Sequence, residues 1–123
     1  MSGLLEAFRE SYMASQESFR RLDFETTFKD LPDDVVWHPL PEIVDGRPLE
    51  GKAEVLKAFD AIAEQWPDWR TEISDITEPV PGLLRVRFRA SGTGAVSGAR
   101  TESDVIQEWD FRSQPLTIRE RLA

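Results

Sequence analysis

The chain has 123 residues, and its 15 Lys and Arg against 23 Asp and Glu give a net charge of −8. This length suits one domain, residues 1–123, which is large enough to bury a core without disulfides or a structural metal. The negative charge disfavours nucleic acid and anionic membrane surfaces as partners, and the lack of Cys excludes thiol chemistry. Neither a signal peptide nor a long apolar run is visible, so we expect a cytoplasmic protein.

Helical spacing dominates the first half of the chain. The first predicted helix has one mainly apolar face, formed by Leu4, Phe8, Tyr12, Ser15 and Phe19. Asp23 suits the N-cap of a shorter second helix, whose apolar stripe ends before Pro32. Gly51 precedes a third helix that reaches Trp66 and is stopped by Pro67.

The remaining segments favour strands. Residues 35–38 form a short β-branched and aromatic run closed by Pro39, and a loop follows to about Leu49. Four longer strands are predicted at 69–76, 83–91, 101–111 and 116–122, joined by residues typical of turns. Helices followed by an antiparallel meander indicate the α+β class rather than alternating βαβ units.

Alternation along two of these strands separates an apolar face from a charged one. Arg85, Arg87 and Arg89 face away from Val86 and Phe88. If the strands at 83–91 and 101–111 pair, this arginine row meets an acidic row that contains Asp104 and Glu108. We interpret these charges as a solvated or subunit-facing ladder.

Five segments together carry a resemblance to a known family. They are RRLDFETTFKDLPDDVVWHP, LEGKAEVLKAF, LLRVRFRASGTG, VIQEWDF and TIRERL. In this order they resemble the SnoaL-like branch of the nuclear transport factor 2-like superfamily. The resemblance implies three N-terminal helices packed on a strongly curved antiparallel sheet that forms a cone-shaped pocket, and homodimers that pair through the sheet. Relatives include polyketide cyclases, ketosteroid isomerases, epoxide hydrolases and proteins without chemistry, so function must be argued from the pocket.

The ketosteroid isomerase mechanism can be compared with this chain residue by residue. Those enzymes use a carboxylate base, with a Tyr and a protonated Asp as donors to an oxyanion. The resemblance places His38 or Pro39, Ser15 and Gln107 at the corresponding positions. Ser and Gln are weaker donors, so steroid isomerisation by that mechanism is disfavoured. The Asp-Arg-Asp arrangement of the epoxide hydrolases has no clear match either.

Two titratable residues are candidates for acid–base catalysis. His38 is the only histidine, and its ordinary pKa of about 6.5 lies near neutral pH. Glu120 shares an inward-facing strand face with Ile118 and Leu122, where burial would raise its pKa. The alternatives are a strand-end histidine bonded to backbone or solvent, and a structural ion pair between Glu120 and an arginine. Asp45 could reach the pocket mouth, although a turn role is the alternative.

The predicted pocket is mainly aromatic, with two polar positions that interrupt apolar faces. Its expected members are Tyr12, Ser15, Trp37, Phe59, Trp66, Trp69, Phe88, Gln107 and Trp109. Such a lining is typical of a site for a small apolar ligand, although each aromatic residue could instead belong to the core. One histidine without cysteine makes a metal site improbable, and no cofactor motif is present.

These observations leave three functional hypotheses open. The first is a cofactor-independent isomerase, cyclase or hydrolase acting on an apolar or aromatic metabolite. The second is a non-catalytic ligand-binding protein that uses the same cavity. The third is a homodimeric interaction module in which the cavity is incidental.

Overall fold

The computed structural model describes residues 3–40 and 47–123, and in this part of the chain helices pack on a mixed β-sheet. The helices are α1 (Gly3–Arg20), α2 (Phe24–Thr27) and α3 (Lys52–Gln65). The strands are β1 (Val36–His38), β2 (Leu49–Glu50), β3 (Arg70–Val80), β4 (Leu83–Thr93), β5 (Arg100–Asp110) and β6 (Thr117–Leu122). The predicted α+β class with N-terminal helices is therefore confirmed.

The six strands lie in the order β2-β1-β6-β5-β4-β3, and the sheet is not closed into a barrel. Neighbours from β6 to β3 are antiparallel, as predicted, but β1 runs parallel to β6. The sheet is thus mixed rather than purely antiparallel. The sequence reading also missed β2, which pairs with β1 through only two residues.

The helices begin and end close to the predicted positions. Asp23 caps α2, where its carboxylate accepts hydrogen bonds from the hydroxyl and backbone N–H of Thr26 at 2.7 and 3.4 Å. Although α2 ends at Thr27, Phe28 and Leu31 still enter the core. Gly51 precedes α3 with a φ of +97°, a conformation that favours glycine.

The buried side chains form two hydrophobic clusters. One lies between the helices and β1, with Phe19, Phe59 and Trp37 among its members. The other lies between α1 and the inner faces of β3, β4 and β5. Trp109 packs against both clusters, so it connects the two parts of the core.

The outer face of the sheet carries the predicted ladder of charges. Arg85 lies opposite Glu108 and Arg89 opposite Asp104, with N–O distances of 2.7 and 3.1 Å. Arg87 instead faces Ile106. These charged side chains thus lie on the outer face, whereas apolar packing and the candidate site lie on the inner face.

Among the described residues, no helix combines the length and the apolar character that a membrane crossing requires. The cytoplasmic location and the single domain expected from the sequence stay predictions.

Candidate functional site

A cavity of about 500 Å³ lies between the helices and the inner face of the sheet. Its wall combines Tyr12 from α1, Phe59 from α3, Trp37 from β1 and Trp109 from β5. Leu4, Phe8 and Phe111 extend the apolar wall near the N-terminal half of α1. This volume and aromatic lining suit a small apolar molecule.

A second cavity of about 360 Å³ adjoins the first. Trp66 and Gly92 line it together with hydroxyl-bearing residues of β4 and β5. Four residues border both spaces: Ile62, Trp69, Phe88 and Glu120.

Each residue expected in the pocket borders one of the two cavities. Tyr12, Ser15, Trp37, Phe59, Trp69, Phe88, Gln107 and Trp109 line the larger cavity, and Trp66 lines the smaller. Their role as ligand contacts stays a prediction. The hydroxyl of Ser15 donates to the Tyr12 carbonyl oxygen at 2.7 Å, so only its oxygen lone pairs remain for a ligand.

Four polar groups form one hydrogen-bonded network in the larger cavity. Gln107 Oε1 accepts from the Tyr12 hydroxyl at 2.9 Å and from Trp109 Nε1 at 2.6 Å. Gln107 Nε2 donates to Glu120 Oε2 at 2.7 Å. Because an indole N–H can only donate, this network determines which end of the Gln107 amide faces Glu120. Gln107 contacts Oε2 of the Glu120 carboxyl group, so it leaves Oε1 without a hydrogen bond from its own amide.

Glu120 contributes the carboxyl group of this network, and burial makes the environment of that group unusual. Burial raises the pKa of its carboxyl group, and donors from Gln107, Trp37 and the Leu40 backbone only partly offset that effect. Glu120 forms no ion pair with any described basic residue, so the structural arginine partner considered above is not found. The side chain is half-buried because it borders the cavities.

Two aromatic side chains with polar hydrogens, Tyr12 and Trp37, lie near this carboxyl group. Burial, together with the negative charge of Glu120, raises the pKa of Tyr12, so its phenol stays protonated as a donor. The Trp37 side chain is 2% exposed, and its indole N–H lies near Glu120 without a hydrogen bond of normal geometry among the described residues. Of these two side chains, the Trp37 indole favours the charged form of Glu120, whereas the Tyr12 hydroxyl donates to Gln107 instead.

His38 does not line either cavity. Successive residues of a strand point to opposite faces, so Trp37 points inward and His38 lies on the other side of β1, beside Arg119 in register. His38 thus lies away from both cavities, and its role as acid or base stays a prediction.

The remaining expectations concern Asp45 and metal ions. Asp45 lies outside the described residues. Within residues 3–40 and 47–123, no group of three His, Asp or Glu side chains is arranged as a metal site would require. Sequence reasoning missed Phe111 and Ser103 as cavity residues, although Phe111 continues the alternation of Gln107 and Trp109 just beyond the end of β5.

This fold and this site define an α+β protein of the nuclear transport factor 2-like type with an internal cavity. The sequence profile of the SnoaL-like domain family matches residues 6–117, so the chain belongs to that family. No protein of curated function matches its sequence significantly.

Solved structures agree with this assignment. A nuclear transport factor 2-like protein from Burkholderia thailandensis superimposes with a TM-score of 0.80 at 16% identity, covering 100% of this chain and 92% of the other. IdmH from Streptomyces antibioticus, a proposed polyketide cyclase, gives a TM-score of 0.73 at 19% identity, covering 92% and 89%. TerC, co-crystallised with polyporic acid, gives 0.73 at 17% identity, covering 93% and 89%. At these identities the likeness concerns the fold.

Proposed function

We propose that this protein binds an apolar or aromatic metabolite in the larger cavity and acts on it by acid–base chemistry. One observation carries the proposal: Glu120 is enclosed at the wall of an aromatic cavity, without a basic partner among the described residues. A buried acid that only stabilised the fold would be expected to form an ion pair there.

Glu120 is the proton-transfer group of the proposed reaction. Its ionised form takes a proton from a carbon or oxygen atom of the substrate, and its neutral form returns a proton from Oε1. The raised pKa makes the carboxylate a stronger base than an exposed glutamate. Gln107 holds the other oxygen in place, so the reacting oxygen keeps its orientation. An isomerisation, a cyclisation or a hydrolysis can proceed through these proton transfers.

Two structural relatives support a ligand of this type. IdmH is a proposed polyketide cyclase, and TerC was crystallised with polyporic acid. Both share the fold of this chain, and the substrate class is our inference from the aromatic walls of its own cavity.

A thermal-shift screen against neutral aromatic and carbonyl compounds tests the binding part of the proposal. A ligand at 100 times its Kd adds about 2.7 kcal/mol to stability, which raises the melting temperature by several degrees in a small domain. Compounds that bind are then tested for turnover with wild-type protein and Glu120→Gln. We expect turnover to fall at least about 100-fold while affinity changes little.

Glu64→Gln is the matched control, because Glu64 is exposed on α3 and borders neither cavity. If Glu120→Gln and Glu64→Gln retain equal turnover, Glu120 is not the catalyst. Specific binding without turnover in the wild-type protein would favour the ligand-binding hypothesis. A broad screen without binding would favour the interaction module.

A further inference from the structure

The two cavities share part of their walls. Glu120 borders both spaces, as do the side chains of Ile62, Trp69 and Phe88 between α3 and the sheet. Their volumes of about 500 and 360 Å³ each exceed the space that a two-ring aromatic group needs. A passage past Glu120 would let one elongated ligand occupy both cavities.

The linings of the two cavities differ in chemistry. Rings dominate the larger one, where Phe8 and Trp109 meet edge to face with centroids 5.1 Å apart. The smaller cavity has hydroxyl-bearing residues, Ser103 and Thr101, opposite Trp66. Flat apolar groups fit the first surface, and a chain that carries hydroxyl groups fits the second.

Charge restricts the ligand further. Among the described residues that line the two cavities, none is Lys, Arg or His, whereas Asp30, Asp34 and Glu120 are acids. A carboxylate or phosphate placed inside would lose its hydration without gaining a cation. It would also be repelled by the ionised form of Glu120.

We infer that the two cavities form one binding site for an uncharged, elongated ligand, with an aromatic end in the larger cavity and a hydroxyl-bearing end in the smaller. Glu120 lies where the two ends join, so the atoms at the join are the ones it can protonate or deprotonate. This inference rests on the proposed function, because it assumes that the larger cavity binds a ligand.

Three related probes separate the claims. 2-Acetylnaphthalene tests the larger cavity alone, and its analogue with a five-carbon acyl chain ending in a hydroxyl group tests both cavities. 2-Naphthoate has nearly the same size as the first probe but a negative charge. By titration calorimetry at pH 7.5, we expect the hydroxyl-ended probe to bind at least about 10-fold more tightly than 2-acetylnaphthalene. We expect 2-naphthoate to bind at least about 10-fold more weakly.

Substitutions test each cavity separately. Ser103→Leu fills the smaller cavity and should weaken only the hydroxyl-ended probe, whereas Ala58→Leu in the larger cavity should weaken both neutral probes. Gly92→Ala is a gentler second variant, because its added Cβ would lie 3.5 Å from Trp66 at ordinary contact distance. Thermal melts confirm that each variant is folded before binding is compared.

The outcomes distinguish this inference from the proposed function. The joined site is refuted, and binding in the larger cavity is not, if 2-acetylnaphthalene binds but the longer chain adds no affinity. The same conclusion follows if Ser103→Leu weakens both neutral probes equally. Equal affinities for 2-acetylnaphthalene and 2-naphthoate refute the requirement for an uncharged ligand. If none of the probes binds to the wild-type protein, both the joined site and binding in the larger cavity are contradicted.

Discussion

Gln107 and Glu120 are direct partners on the antiparallel strands β5 and β6, and the Gln107 amide donates to the Glu120 carboxyl group over 2.7 Å. Because Tyr12 and Trp109 both donate to the other end of that amide, three side chains form hydrogen bonds with Gln107. A cross-strand pair therefore couples the geometry of the sheet to the orientation of the proposed catalytic acid.

Replacing Gln107 with leucine removes every hydrogen bond of this network at once. Gln107 is 3% exposed, so in its absence Tyr12 and Trp109 would lose their hydrogen-bond acceptor and Glu120 would lose one donor. We expect Gln107→Leu to lower the free energy of unfolding by about 2–4 kcal/mol in urea titrations. Gln65→Leu, at the exposed end of α3, is the control and should cost less than about 0.5 kcal/mol. Equal losses of unfolding free energy in both variants would contradict a stabilising role for this network.

The raised pKa of Glu120 predicts a specific dependence of stability on pH. Its ordinary value is 4.5, and between that value and the higher folded pKa the folded state binds more protons than the unfolded state. Wild-type stability should thus decline as the pH rises through the folded pKa, relative to Glu120→Gln. Urea unfolding of both proteins between pH 5 and pH 8 measures the difference, which should grow with pH. A constant difference would show that burial does not perturb Glu120.

Glu108 should give the opposite dependence. Burial alone would raise its pKa, but hydrogen bonds and charges from Arg85 and Arg121 outweigh that effect and hold the pKa below its usual range. Its stabilising contribution is present above the unfolded pKa and is lost as the pH falls through the folded pKa. We expect Glu108→Gln to cost at most about 1 kcal/mol at pH 7 and less at pH 3, measured by urea unfolding. A larger cost at pH 3 than at pH 7 would refute this assignment.

The orientation of the Gln107 amide is also testable. Tyr12→Phe removes one donor to Oε1 but leaves the Trp109 indole at 2.6 Å, so the amide should keep its orientation. The loss of stability should be about 1 kcal/mol. In ¹⁵N-edited NMR spectra, the Gln107 side-chain signals should shift little in Tyr12→Phe and broaden when Trp109→Phe is added. Broadening in the single variant would mean that Tyr12, rather than Trp109, mainly holds the orientation of the Gln107 amide.

We also propose that the chain forms homodimers through the outer face of its sheet. Arg87 is exposed there, with Ile106 opposite it on β5 and Asp75 opposite it on β3, and it forms no ion pair with a described residue. We expect light scattering at micromolar concentration to report twice the mass of the 14.1 kDa chain, and Arg87→Glu to shift it toward the monomer. Arg20→Glu, at an exposed position in the last turn of α1, serves as the control. A wild-type protein that is strictly monomeric contradicts this proposal.

Much of the fold was predictable because its elements are long and strongly patterned. The stripe of α1 and the alternation of β4 and β5 extend over many residues, so single exceptions do not hide them. The two residues of β2 are too few to produce a pattern, and the parallel pairing of β1 with β6 joins distant parts of the chain. β3 extends through Pro79, which an edge strand tolerates because its unused side needs no N–H donor.

Strand alternation made the inward positions of several cavity residues predictable, but it did not indicate the face on which His38 lies. Gln107 and Glu120 each lie on a strand face whose other members are mainly apolar, so alternation placed both residues on the inner face. The three residues of β1 are too few to indicate whether Trp37 or His38 points inward. The lack of an arginine partner for Glu120 depends on side-chain packing, which no local pattern predicts.

Trp109 has a further consequence for how this protein can change over evolution. The same indole joins the two clusters of the core, borders the larger cavity and donates to Gln107. Selection for a new substrate at this position would also act on folding, so adaptive substitutions there would need compensation elsewhere. Ala58 and Ser103 face the cavities without joining the clusters, so the chain can acquire new specificity at these positions with less risk to its stability.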